Sequence, residues 1–276
     1  MNNEAVSERS SRFDGSIPEM YDRYLGPLLF EPFAAEMADR VTKRLPQKVL
    51  EIAAGTGIVS RALVDALPRE TALTISDLNE PMLDYARQKI GTRGRKVDWR
   101  QADAKDLPFP DESFDAVVCQ FGLMFFPDKR QGLHEFNRVL ERGGSLFFSV
   151  WDSMDQNPVQ SIAHSTIATF FQPDPPDFYQ IPCGMGDLEE VRRLTREAGF
   201  KEIVIEAVAL TGSSESAQNA AVGLVRGNPV VNAIRERGTA DVDEIIRAVA
   251  GVLEGRFGTR SLQVPLRAHV VSAVKR

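Results

Sequence analysis

A short apolar run, KVLEIAAG, breaks at Gly55-Thr56-Gly57 and is followed at once by IVSRALVDALP, which is apolar at helical spacing up to Pro68. A strand that enters a glycine turn and leaves as a helix cannot pair with its successor through a hairpin. The chain has to cross over and return parallel. The unit recurs where TALTISD leads into NEPMLDYARQKIG, with Asn79 placed to cap the helix and Gly91 to close it. VDWRQAD, FDAVVCQFG and GGSLFFSVW supply three further strands, and a helix is predicted from Pro127 to Arg142. FDAVVCQFG is so continuously apolar that both of its faces must be covered. This alternation predicts an α/β fold, an open doubly wound sheet with right-handed crossovers and a ligand site at the carboxyl ends of its strands.

The flanking regions follow other patterns. Residues 1–47 read as an N-terminal helical cap, because Phe30, Phe33, Ala34, Met37, Ala38 and Val41 recur at three- and four-residue steps behind Pro32. Residues 48–152 are the ligand-binding core. Residues 153–186, rich in proline and aromatics around PDPPDF, break the rhythm and read as a lid insertion. Residues 187–276 complete the core with a helix over 187–200, the strand KEIVIEAVAL and the final strand LQVPLRAHVVSAVK. A helical insertion over 212–258 lies between those strands, where Asp241 and Glu244 are spaced as a capping box.

Charge and cysteine usage narrow the partners. A net charge of −6 argues against a reader of nucleic-acid backbones. The first thirteen residues hold no signal-like apolar core, and no run reaches the ~18 apolar residues of a membrane span. The expectation is a cytoplasmic protein without a membrane partner. Cys119 and Cys183 form no CxxC pair and stand near no histidine at metal-ligand spacing, so reduced thiols and no metal are expected. Monomer and homodimer stay equally open.

The chemistry concentrates at the glycine turn, where a ligand can approach backbone amides unobstructed. Asp77 follows at close to the ~20-residue offset at which a carboxylate meets ribose hydroxyls. Both features also suit a nicotinamide-dependent oxidoreductase, but three others do not. Ser60 stands where GxGxxG needs its third glycine. Glu51 puts a carboxylate beside the turn, unfavourable next to a diphosphate and suited to a cationic amino acid. Asp103, just after the third strand, can accept from an adenine amine.

VLEIAAGTG, SDLNEPML, QADAKDLPFPDESFDAVVCQFGLMFF and RVLERGGSLFFSVWD, in that order over roughly residues 48–152, resemble the class I S-adenosylmethionine-dependent methyltransferases. The branch they resemble includes the ubiquinone and menaquinone biosynthesis C-methyltransferases. The resemblance implies a seven-stranded, mostly parallel, Rossmann-like sheet with an antiparallel last strand. It implies S-adenosylmethionine as cofactor, with Glu51 and the Ala53, Gly55, Thr56 and Gly57 backbone at its amino acid. Asp77 would take the ribose, Leu78, Met82, Asp103 and Ala104 the adenine, and Gln120 with Phe121 the sulfonium. Ala53 departs from the family, which has glycine there.

The expected reaction is methyl transfer to an O, N or C atom of a small, partly apolar acceptor, with a non-catalytic sensor on the same fold as the other reading. Tyr21, Tyr24, Trp151, His164, Phe170, Phe171, Phe178 and Tyr179 are the candidate acceptor contacts. His164 is the one candidate base, although alignment of donor and acceptor can suffice for this chemistry.

Overall fold

The structure, a computed structural model, describes residue 13 and residues 15–91 and 96–276. Seven strands form one sheet: β1 (Lys48–Glu51), β2 (Ala72–Asp77), β3 (Val97–Gln101), β4 (Phe114–Gln120), β5 (Leu140–Trp151), β6 (Phe200–Ser216) and β7 (Arg260–Lys275). Their order is β3-β2-β1-β4-β5-β7-β6. β1 to β5 pair in parallel, and β7 runs antiparallel between β5 and β6. The strand order reverses at β1, between β2 and β4. A crevice at the carboxyl ends of strands is unavoidable at such a point, because the crossovers leave it in opposite directions.

The helices are α1 (Ile17–Met20), α2 (Glu31–Thr42), α3 (Ile58–Ala66), α4 (Glu80–Ile90), α5 (Lys129–Val139), α6 (Pro158–Ala168), α7 (Leu188–Glu197), α8 (Ala217–Arg226), α9 (Val230–Arg237) and α10 (Val242–Phe257). α1 and α2 are joined by a π-helical segment, Tyr21–Phe30. Pro27 inside it has no N–H to donate and crowds the preceding turn. The widened register accommodates this, and the Glu31 N–H donates to the Gly26 carbonyl, five residues back.

Several expectations are corrected. The helix expected to reach Arg142 stops at Val139, because Leu140 already pairs with Phe114 as part of β5. Asn79 stands at the N-cap of α4, but its amide turns to Asp77 and makes no capping bond. The strand expected to end at Leu210 runs on through Gly212-Ser213-Ser214 to Ser216, each of these residues paired along β7. Those residue types signal a loop locally, and pairing with a long partner overrides them. Gly212 is required there, since a Cβ at that position would lie 1.8 Å from the Leu28 carbonyl oxygen of the π segment. The insertion therefore starts at Ala217 and holds three helices, α8, α9 and α10. Asp241 accepts from the Asp243 and Glu244 amides at the last of them, which is one half of the expected capping box.

The region read as a lid, 153–186, contains α6, an 11-residue helix burying Val159, Ile162, Ala163 and Ile167. That face packs on α10. Among the described residues, no helix is long and apolar enough to cross a membrane.

Candidate active site

At the end of β1 the chain turns through left-handed backbone at Ala53 (φ 55°), Gly55 (φ 57°) and Gly57 (φ 78°) before entering α3. Gly57 has no alternative there, because a Cβ would sit 2.9 Å from the Ala86 Cβ of α4. Ala53 carries a side chain in a conformation that costs ~1 kcal/mol or more. Its methyl occupies space that opens only because residue 122 is glycine, where a Cβ would come within 2.5 Å of it. The turn is held from the neighbouring strand, since Asp77 accepts from the Gly55 N–H and the Asn79 N–H, each at 2.8 Å.

The turn forms one wall of a cavity of about 380 Å³ at the reversal point of the sheet. Glu51 is 1% exposed and lines it. Burial pushes its carboxyl up to about 8, and the nearby Asp77 charge adds to the push. Asp77, also buried, is raised by the same cause against its amide donors. Three lining side chains end in buried polar atoms without a partner: Glu51 Oε2, Thr56 Oγ1 and Gln120 Oε1. Buried polar atoms are nearly always hydrogen-bonded, so three orphans on one cavity indicate a polar ligand.

The rest of the lining differs by region. Leu78, Met82, Ala102 and Ala104 form an apolar slot, and Leu78 is 49% exposed, a large side chain with little protein over it. Asp103 borders the slot and accepts from the Lys105 N–H at 2.9 Å, so it caps a turn and faces the cavity at once. The lining also carries a group of aromatic rings, Phe13, Tyr21, Phe30, Phe121, Phe125 and Phe126. Tyr21 stacks on Phe30 at 4.7 Å, and Phe121 stacks on Trp151 at 4.0 Å. Burial, with Asp77 adding, pushes the Tyr21 hydroxyl up.

Residues 49–144, which carry the turn, Asp77, Asp103 and Gln120, match a family model described as a methyltransferase domain. Over 101 residues the chain is 45% identical to the demethylmenaquinone methyltransferase of Deinococcus radiodurans, covering 37% of this chain and 42% of that protein. It is 37% identical over 120 residues to the ubiquinone/menaquinone biosynthesis C-methyltransferase of Teredinibacter turnerae, covering 43% and 47%. The chain thus spans about half the length of the curated relatives it matches. The fold is shared more widely. Phosphoethanolamine N-methyltransferase 2 of Haemonchus contortus, solved with phosphomonomethylethanolamine and S-adenosylhomocysteine, aligns with a TM-score of 0.59 at 15% identity, over 100% of this chain and 60% of that one. The YcgJ protein of Bacillus subtilis gives 0.56 at 18%, over 87% and 98%.

Of the expected cofactor contacts, Glu51, Ala53, Gly55, Thr56, Asp77, Leu78, Met82, Asp103, Ala104, Gln120 and Phe121 line the cavity. Gly57 does not, and its place is at the packing of α3 on α4. Of the expected acceptor contacts only Tyr21 lines it. Tyr24 packs against Gly223 of α8. Trp151, 2% exposed, stands behind Phe121. Phe171, Phe178 and Tyr179 are buried, with the Tyr179 hydroxyl donating to the Leu224 carbonyl. Phe178 stacks on the lining residue Phe125, with ring centroids 6.2 Å apart. Phe170 and His164 are half-buried and outside the lining, and His164 Nδ1 has no partner.

The lining residues missed by sequence reasoning are chiefly Phe13, Phe30, Phe125 and Phe126. The last two lie within QFGLMFF, where two consecutive phenylalanines after a strand were the available signal. Among the described residues, no group of three or more His, Cys, Asp or Glu could hold a metal ion.

The aromatic wall is tied to the glycine turn through Asp22 of the π segment, which is 6% exposed. It receives Arg61 at 2.9 Å, Lys89 at 3.3 Å and the Tyr85 hydroxyl at 3.3 Å, and Arg61 also donates to the Thr56 carbonyl. Asp22→Ala should cost about 1–2 kcal/mol, less than a fully buried pair because Lys89 is half in solvent. Urea denaturation measures this. An unchanged midpoint would show that the tie does not bear on stability.

Proposed function

We propose that the chain is an S-adenosylmethionine-dependent methyltransferase acting on a small, partly apolar acceptor. The observation that carries this is the buried Glu51 carboxylate, with Oε2 unpartnered, beside a glycine turn. A diphosphate would hold the Glu51 carboxyl, pushed up to about 8, in its neutral form and would be set against the buried Asp77 carboxylate. An ammonium would favour the ionised form of this carboxyl and pair with its free Oε2. When bound, the cofactor supplies an electrophilic methyl group on a sulfonium. Glu51 would hold its ammonium, and Thr56 with the turn amides its carboxylate. Asp77 keeps lone pairs beyond those given to the Gly55 and Asn79 amides and would take the ribose hydroxyls. Leu78, Met82 and Ala104 would enclose the adenine, with Asp103 at its amine.

The names of the curated relatives support a finer reading, a quinone-class aromatic acceptor, and the Phe13, Phe30, Phe125 and Phe126 wall suits a flat ring. Among the described residues, no lysine, histidine or cysteine besides Lys105 lines the cavity. Catalysis on this reading comes from alignment of donor and acceptor and from exclusion of water by the aromatic wall. Calorimetry tests the cofactor reading: S-adenosylhomocysteine binds and NAD does not. Tighter binding of NAD would overturn it.

A further inference from the structure

The sheet ends in two edge strands, β3 and β6, and they are built differently. β3 has five residues, and two of them, Asp98 and Arg100, are charged. Short length and charge are the usual means of keeping an edge from pairing with another chain. β6 has neither. Residues 203–214 of this 17-residue strand, IVIEAVALTGSS, include one charge, Glu206, and Arg40 of α2 neutralises it. At one end Arg192 of α7 donates to the Ile203 carbonyl at 2.8 Å and closes the edge there. From 204 to 211, among the described residues, the main chain bonds to β7 alone. An edge strand turns the N–H and C=O of alternate residues outward. Apolar side chains flank those groups: Val204 is 50% exposed, Ala207 and Ala209 are exposed, and Ile205, Val208 and Leu210 are half-buried.

We infer that the partner this edge fits is a second copy of the chain: β6 pairs antiparallel with β6 of that copy about a twofold axis at Val208, and the two sheets become one. A twofold axis perpendicular to a sheet keeps every residue on its own face, so one residue must stand opposite its own copy. Were that residue Glu206, like charges would meet. With Val208 there, Ala207 meets Ala209, Ile205 meets Thr211 and Glu206 meets Leu210. Farther out, exposed Lys201 of one copy approaches exposed Glu215 of the other, so both ends of the pairing carry unlike charges. Ala207, Ala209 and Thr211 share the face opposite to that of Glu206, which turns to α2, and their small side chains leave room for a second strand beside them.

Sedimentation velocity on the whole chain tests this. One strand pair makes a smaller interface than the standard ~1,600 Å², so the dimer should form at micromolar concentration and predominate by about 100 µM. Ala207→Lys with Ala209→Lys sets lysine against lysine across the axis and should leave a monomer at every concentration. Ala207→Lys with Ala209→Glu sets unlike charges there and should keep the dimer within about threefold of the parent's affinity. Both positions are exposed, so far-UV circular dichroism should match the parent in each variant. A parent that stays monomeric at about 100 µM, leaving the edge to a different chain, overturns the inference. A dimer that survives the lysine pair overturns it too, because the copies would then meet elsewhere. So does a dimer lost in both variants, because the copies would then meet in another register.

Discussion

Glu51→Gln should weaken S-adenosylhomocysteine binding by about 2–3 kcal/mol, the range for a hydrogen bond between charged partners in a buried place. The pH dependence of binding distinguishes this role from a merely structural one. In the free protein the Glu51 carboxyl is held at about 8, against an ordinary 4.5. An ammonium ligand selects the ionised form, so binding below about pH 8 must expel a proton. Affinity of the parent should then rise with pH from about 6 to 8 and level off above, with a limiting slope of tenfold per unit. Glutamine has nothing to titrate, and the slope should vanish.

Stability should move the other way. Between pH 4.5 and about 8 the folded protein keeps a proton on Glu51 that the unfolded chain has lost, so folding stability from this group is present below 4.5 and falls as pH rises to about 8. Glu51→Gln should therefore melt higher than the parent at pH 8 and close to it at pH 5. A variant that binds as well as the parent, or one that melts lower at pH 8, would remove Glu51 from the ligand site.

Gly57→Val should have the largest effect on folding. It places a β-branched residue at φ 78° and drives a Cβ to 2.9 Å from Ala86 and 3.3 Å from Ile90. Backbone strain and overpacking together amount to about 3–5 kcal/mol, a large part of the roughly 5–15 kcal/mol that holds a domain together. Urea denaturation should show the loss in the midpoint, with a fall in melting temperature of ~10 °C. Relief by moving α4 away from the turn would disturb Asp77 and Asn79, so cofactor affinity should drop as well. A change below about 1 kcal/mol with normal binding would mean that α3 and α4 are not packed as described.

Glu51, Asp77, Asp103 and the glycine turn were legible from sequence because each stands at the end of a strand whose type is set by its own neighbours. Once a strand, a turn and a helix repeat, parallel pairing follows, and parallel pairing brings the carboxyl ends of β1, β2 and β4 together. These candidate site residues needed no further folding information than that. Ala53 was legible as a departure from glycine, but that its methyl fits depends on Gly122, a neighbour supplied by β4's exit.

The aromatic wall of the cavity was decided by tertiary structure alone. Phe170, Phe171, Phe178 and Tyr179 have the composition of a lid, yet none lines the cavity: Phe171, Phe178 and Tyr179 are buried elsewhere, and the helix α6 that precedes them packs on α10. Phe13, Tyr21 and Phe30 take the place instead. What brings them there is distant in sequence: Gly212 of β6 admits the Leu28 carbonyl, and Arg61 and Lys89 capture Asp22. Local periodicity records which side of an element is apolar. Which of two apolar segments closes a cavity depends on the close approaches and buried charges that each can satisfy, and those partners lie elsewhere in the chain.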